Sequence, residues 1–153
     1  MGKEIERKFL VKDNSFIQMT IELLHICQTY ISDKPEATVR IRVCDDHAWI
    51  TVKGKNDGAV RDEWEYAIPV NDAMEMAERL AGGWNIDKTR YVVIYEGARW
   101  EVDVFHGRHD GLVLAEIELS SASDSFVLPP FIGDEVTGDP RYYNSVLAAH
   151  KQL

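Results

Sequence analysis

Apolar and polar residues alternate along most of this chain, in short runs separated by turn-forming residues. Between Lys3 and Val11, Ile5 and Phe9 fall on one side while Glu4, Glu6 and Lys8 fall on the other. Successive side chains of a β-strand point to opposite faces, so this period of two predicts a strand. The same pattern predicts strands at Ile26–Ser32, Ala37–Cys44, His47–Lys53, Ala59–Ile68, Ile86–Tyr95, Arg99–Phe105 and Leu112–Leu119. Asp45-Asp46, Gly54–Gly58 and Glu96-Gly97 supply hairpin connections. Hairpins join antiparallel neighbours, so the expected fold is mainly β: an eight-stranded antiparallel β-barrel with a few peripheral helices. One domain is expected over residues 1–153.

Helical signals are fewer. The stretch Asp13–Leu24 reads as a short helix or two, without a clear period. Asn71–Ala81 predicts a helix, with Asn71 or Asp72 as cap, Glu75 completing a capping box with Asp72, and Gly82-Gly83 stopping it. Met74, Ala77, Leu80 and Ala81 would form its apolar face, leaving Met76 outside. A loop through Pro129-Pro130 precedes a short helix expected from about Arg141 to His150.

The charged positions of the strands come as pairs of like sign. Arg40 and Arg42 share a face, as do Thr51 and Lys53, Glu63 and Glu65, Lys88 and Arg90, Glu101 and Asp103, and Glu116 and Glu118. A barrel with solvated charges outside would mix signs, because adjacent like charges destabilise a sheet. The pairing instead predicts an inverted barrel, with charges lining a wet lumen and the apolar outer face covered by helices, the tail or a second subunit. Carboxylates about 7 Å apart on one strand face call for a cation between them. Arginine and lysine clusters grip phosphate oxygens, and hard divalent cations held by carboxylates bridge those same oxygens. Arg40, Arg42, Lys53, Lys88 and Arg90 exceed the need of one phosphate and suit a polyanionic chain.

Composition narrows the partners. A net charge of −9 and pI near 5.0 argue against nucleic acid or an anionic membrane, while a local basic cluster still admits a small anion. No apolar run has membrane-spanning length, and the charged start lacks a signal-peptide pattern, so a cytoplasmic protein is expected. Cys27 and Cys44 make no disulfide framework, and strand parity points them to opposite sides of the sheet. Gly54-Lys55 lacks the glycine spacing of a phosphate-binding loop, and His106, His109 and Asp110 form a weak candidate metal cluster in a loop.

Glu4-x-Glu6-x-Lys8 resembles the signature of the CYTH superfamily, the triphosphate tunnel metalloenzymes. Arg40-x-Arg42, Thr51-x-Lys53, Glu63-x-Glu65, Lys88-x-Arg90, Glu101-x-Asp103-x-Phe105 and Glu116-x-Glu118 follow in the family's order, and the tail from Glu135 to Asn144 is similar to that of compact bacterial members. The resemblance implies an eight-stranded tunnel barrel and an enzyme dependent on Mg2+ or Mn2+. By that resemblance Glu4, Glu6 and Glu118 hold the principal metal and Asp103 and Glu116 a second. Arg40, Arg42, Lys53, Lys88 and Arg90 bind substrate phosphates, and Lys8 and Tyr30 form a catalytic dyad that assists water attack. Glu63, Glu65 and Glu101 carry a tunnel role not fixed further. The expected reaction is hydrolysis of a triphosphate, foremost inorganic tripolyphosphate to pyrophosphate and phosphate. A class IV-type adenylyl cyclase, a thiamine or nucleoside triphosphatase, and a non-catalytic polyphosphate-binding module are the alternatives. The partner is then a small-molecule triphosphate, and the apolar outer faces allow a homodimer, for which the family offers precedents.

Overall fold

The computed structural model describes residues 2–149. The strands are β1 (Gly2–Val11), β2 (Thr20–Lys34), β3 (Ala37–Cys44), β4 (His47–Gly54), β5 (Val60–Ile68), β6 (Ile86–Tyr95), β7 (Ala98–Phe105), β8 (Val113–Glu118) and β9 (Ile132–Glu135). Their order in the sheet is β5-β4-β3-β2-β6-β7-β8-β1-β9, and β5 also pairs with β1. That last pairing closes β1 to β8 into an antiparallel barrel, with β9 added alongside the end of β1. Closure leaves no long free edge, which suits a sheet whose connections are hairpins.

The expected barrel is therefore present, and it is inverted as the pattern required. Phe9, Trp100, Val102, Ala115 and Ile117 lie on the outer face, covered by Phe16, Phe126 and Phe131. Elsewhere on that face Ile41 and Ala48 pack under α1 (Val70–Ala81). Burying these residues between sheet and cover supplies the hydrophobic stabilisation that a charged lumen cannot.

Several elements differ from their sequence expectations. The segment Asp13–Leu24 holds only a 3-10 turn, Ser15–Met19, and then joins β2, which starts at Thr20. Pairing with β6 from Thr20↔Val93 onward extends that strand beyond its own alternation. β9 lies where only a Pro-rich loop was expected, held by Phe9↔Glu135 and Val11↔Ile132 and by the Arg7–Glu135 ion pair. In α1 the N-cap is Pro69, with no side-chain capping bond, so Asn71, Asp72 and Glu75 form no capping box. Gly82 ends the helix at φ 72°, and the Gly83 N–H donates to the Ala77 carbonyl at 2.9 Å. The face is rotated too: Ala73 and Ala77 are buried with Met76 packed beside them, whereas Met74 is 51% and Leu80 60% exposed. Small residues let the helix axis approach the barrel closely, and larger ones would hold it off. The tail forms a 3-10 turn, Pro140–Tyr142, and then α2 (Asn144–Ala149); the expected end at His150 lies outside the described residues.

α2 corrects one further expectation. The lumen is not charged throughout, because Ile86, Phe105 and Leu114 point inward at one end and meet Leu147 and Ala148 of α2. His109 is buried there, 2.6 Å from the Leu147 carbonyl, and His106 lies 2.8 Å from the Thr89 hydroxyl. These loop histidines hold structure, and among the described residues they form no metal-ligand group with Asp110.

Candidate active site

Barrel register, more than strand parity, brings the lumen residues together. Glu6 stands opposite Glu118 and Lys8 opposite Glu116 across β1–β8, and Glu101 opposite Glu116 across β7–β8. On the other wall Arg40, Thr51 and Glu65 form one row across β3, β4 and β5. A cavity of about 200 Å³ opens between these walls. Glu4, Glu6, Glu63, Glu65, Glu101, Glu116 and Glu118 line it with Arg40, Arg42, Lys53 and Arg90, and Asn144 is the one uncharged member among the described residues. A smaller space of about 60 Å³ shares Glu4, Glu6, Arg40, Lys53 and Asn144 and reaches Lys8 and Tyr30, so the two are one channel.

The acids divide into compensated and uncompensated groups. Lys53 Nζ donates to Glu4 Oε2 at 2.7 Å and lies 3.5 Å from Glu63. Burial works to raise the Glu4 carboxyl, and Lys53 outweighs it, leaving Glu4 below its ordinary value. Burial likewise opposes ionisation of Glu116, but Lys8, with Lys88 and Arg90, pulls it down to about 2. Glu6 is the contrary case: burial first, then Glu116 and Glu4, push it well above the usual carboxylate range. Burial and neighbouring carboxylates also raise Glu118 and Glu63. Among the described residues neither Glu6 nor Glu118 has a cationic partner within ion-pair distance; the ion pairs on this wall belong to Glu4, Glu116 and Glu101.

That imbalance fits a hard divalent cation. Glu6 and Glu118 face each other directly, Glu4 is two residues along the same strand face, and every donor is a carboxylate oxygen. Such donors suit magnesium or manganese rather than a thiolate-seeking metal.

The basic wall shows the complementary strain. Arg42 falls to about 10, through burial first and then the crowding of Arg40 and Arg90. Gln28, fully buried, braces it by accepting from Arg42 Nε at 3.0 Å. Arg40 Nη2 donates to Thr51 Oγ1 at 3.1 Å and to Glu65 Oε2 at 3.3 Å, while its buried Nε has no partner among the described residues. Guanidiniums crowded in this way bind an anion readily.

Two residues are placed differently from expectation. Asp103, expected at a second metal, is 1% exposed and accepts from Arg90 Nε at 2.8 Å, Arg90 Nη2 at 2.9 Å and Lys88 Nζ at 2.7 Å. Burial notwithstanding, those cations hold it far below the usual carboxylate range, and both its oxygens are engaged. Lys88, expected on substrate, is 0% exposed, bonded to Asp103 and to Asn144 Oδ1 at 3.3 Å, and lines neither cavity. Asp103 thus orients Arg90, and Lys88 completes that lock.

Lys8 and Tyr30 both line the smaller space. Lys8 Nζ donates to the Tyr142 carbonyl at 3.0 Å and lies 3.6 Å from Glu116. Burial favours the neutral amine, but Glu116 and Glu6 prevail and raise its pKa, so Lys8 is held as ammonium. Sequence reasoning left Thr51, Gln28 and Asn144 without roles. Gln28 was legible by parity, as it shares the face of Tyr30, whereas Asn144 reaches the channel only because the tail folds back.

The CYTH domain model matches residues 2–143. An inorganic triphosphatase of Acetivibrio thermocellus is 47% identical over 147 residues, covering 96% of this chain and 94% of that protein. One of Nitrosomonas europaea is 36% identical over 149 residues, covering 95% and 96%. The crystal structure of the inorganic triphosphatase NE1496 superposes with a TM-score of 0.66 at 33% identity, covering 96% of this chain and 95% of that one. A family match over most of the length, on a barrel whose register assembles the paired charges, leaves no other assignment: the chain belongs to the CYTH domain family.

Proposed function

We propose that this protein hydrolyses inorganic tripolyphosphate to pyrophosphate and phosphate with Mg2+ or Mn2+, in the cytoplasm, as a single CYTH domain. The observation that carries the reading is the opposition, across one channel, of two carboxylates, Glu6 and Glu118, and a guanidinium, Arg42, that have no ion-pair partner among the described residues. A metal-bound polyphosphate satisfies both at once. The names of the near full-length relatives agree with it, and the free thiols of Cys27 and Cys44 suit a reducing compartment.

Glu4, Glu6 and Glu118 would hold the principal metal, with Glu116 beside them. A cation held by these carboxylates would supply positive charge to offset that of the phosphate oxygens as the terminal phosphoryl transfers. Arg40, Arg42, Lys53 and Arg90 hold the chain of phosphates, with Arg90 fixed by Asp103. Glu65 steadies Arg40, Glu63 steadies Lys53, and Glu101 flanks Arg90 at 3.3 Å. Lys8 and Tyr30 border the space where a water can reach the terminal phosphorus. The bond from that phosphorus to its bridging oxygen breaks as the water oxygen bonds, and the water's proton leaves through this pair or to the product phosphate. Lys8 must shed its own proton before it can accept one, which places its action as a base at alkaline pH.

The test is metal-dependent product analysis on tripolyphosphate, ATP and thiamine triphosphate. Phosphate and pyrophosphate from tripolyphosphate, at the highest kcat/KM of the set, are expected. Cyclic AMP would replace the hydrolase by a cyclase, a preference for an organic triphosphate would move the substrate, and binding without turnover would leave a polyphosphate-binding module.

A further inference from the structure

Outside the channel, three metal-ligating side chains of different chemistry converge on the barrel's outer wall. His25 and Cys27 are two apart on β2 and so share a face, and Cys27 pairs directly with Asp87 on β6. His25 Nε2 lies 2.8 Å from Asp87 Oδ1 and 3.9 Å from Cys27 Sγ, and the ligand atoms of the three all fall within 4.8 Å of one another. The side chains of His25 and Asp87 are 58% and 49% exposed, so a hydrated ion can reach them.

We propose that His25, Cys27 and Asp87 form a surface site for a borderline-soft divalent cation, with Zn2+ as the fitting ion and water completing the coordination. Imidazole, thiolate and carboxylate together are donors for zinc and are poor donors for magnesium. Bond lengths of about 2.0–2.3 Å in a tetrahedron place N and O about 3.4 Å apart and N and S about 3.6 Å apart. The present separations straddle these values, so small side-chain rotations suffice. The backbone is already rigid: two hydrogen-bonded strands fix the spacing, and the Asp87 carbonyl accepts the His106 N–H at 2.8 Å. A plain His–Asp surface pair would contribute little to stability and would not require a thiol beside it. On binding, Cys27 Sγ gives its proton to solvent and its lone pair to the metal. This site is on the opposite face from Gln28, Lys88 and Arg90, and its donors differ from the all-carboxylate set of the channel.

Co2+ serves as the spectroscopic probe, added to the intact protein in excess Mg2+ so that the hard channel carboxylates are already supplied. A thiolate-to-cobalt charge-transfer absorption saturating at a single equivalent, and displaced by Zn2+, is expected. Cys27→Ser should abolish the band, and His25→Ala and Asp87→Asn should each weaken Zn2+ binding, measured by chelator competition, by more than about 100-fold, beyond the cost of losing an outer-shell partner. Glu6→Gln and Cys44→Ser should leave the band intact. No band in the wild type, a band that survives Cys27→Ser, or one that is lost with Cys44 would overturn the proposal. Circular dichroism establishes that each variant is folded, and the near-isosteric Asp87→Asn keeps the test decisive if another variant is not.

Discussion

Glu6 and Glu118 face one another across β1 and β8, with no ammonium or guanidinium paired to either among the described residues. The raised pKa of Glu6 means that the folded, metal-free protein binds this proton more tightly than the unfolded chain does. Its contribution to stability is present below the ordinary value of 4.5 and is lost as pH rises through the raised value. Glu116 runs the other way, contributing above 4.5 and losing that contribution as pH falls toward about 2. In chelator the melting temperature should therefore rise as pH is lowered from neutral toward 5, then fall in stronger acid. Added Mg2+ should abolish the first limb. Calorimetry across pH checks both, and a flat profile in chelator would remove the case for an uncompensated acid wall. Glu6→Gln should keep or raise the chelator-state melting temperature while abolishing most turnover. The arginines should part company as well. Arg42→Ala should lower kcat/KM by about 2–4 kcal/mol with the fold intact if, as proposed, its guanidinium contacts substrate. Arg90→Ala should in addition destabilise folding by about 1.5–3 kcal/mol, since it removes two of the three charged bonds to the buried Asp103 carboxylate and leaves it to Lys88. Denaturant titration separates the two outcomes.

Among the elements, α1 shows why a helix is easier to recognise than to orient. Its existence follows from its period and its glycine stop, but its contact face depends on how closely the barrel admits it. Ala73 packs with Ile41 and Ala48, where only a methyl group is accommodated, and Ala77 is buried as well. Ala73→Leu should cost about 1–3 kcal/mol by overpacking, while Leu80→Ala on the exposed side should change stability by less than about 0.5 kcal/mol. Equal effects at both positions would reverse the orientation again. Gly82 at φ 72° is needed for its left-handed turn, and Gly82→Ala should cost about 1–2 kcal/mol. The strands were legible because alternation is a local signal, and β3 and β6 begin and end where it does. β9 was not, since Ile132–Glu135 is too short to show a period and is a strand only because β1 is there to pair with it.

For the molecule as a whole, the channel is charged along most of its length and stoppered by α2 and an apolar cluster at one end. That end also holds the Tyr142 carbonyl against Lys8, so the tail helps set the state of the proposed dyad. If Lys8 acts as a base, turnover should climb into the alkaline range and Lys8→Met should flatten that limb, with Tyr30→Phe lowering kcat more than it raises KM. Unchanged pH–rate profiles and rates in both variants would remove the dyad. Strand parity determined which charges share a face, because period-two alternation is written residue by residue, and the like-sign pairing favoured a barrel with those faces inside an apolar jacket. It also determined that acids and bases occur as separate pairs, the pattern on which the proposed metal and polyanion rest. Only the tertiary structure decided which charges are free. Asp103 and Lys88 carry the same pattern as their neighbours, yet register locks Asp103 to Arg90 and Lys88, and the tail's Asn144 meets Lys88 from a distant part of the chain. Pairing across strands depends on long-range closure, and no local period encodes it.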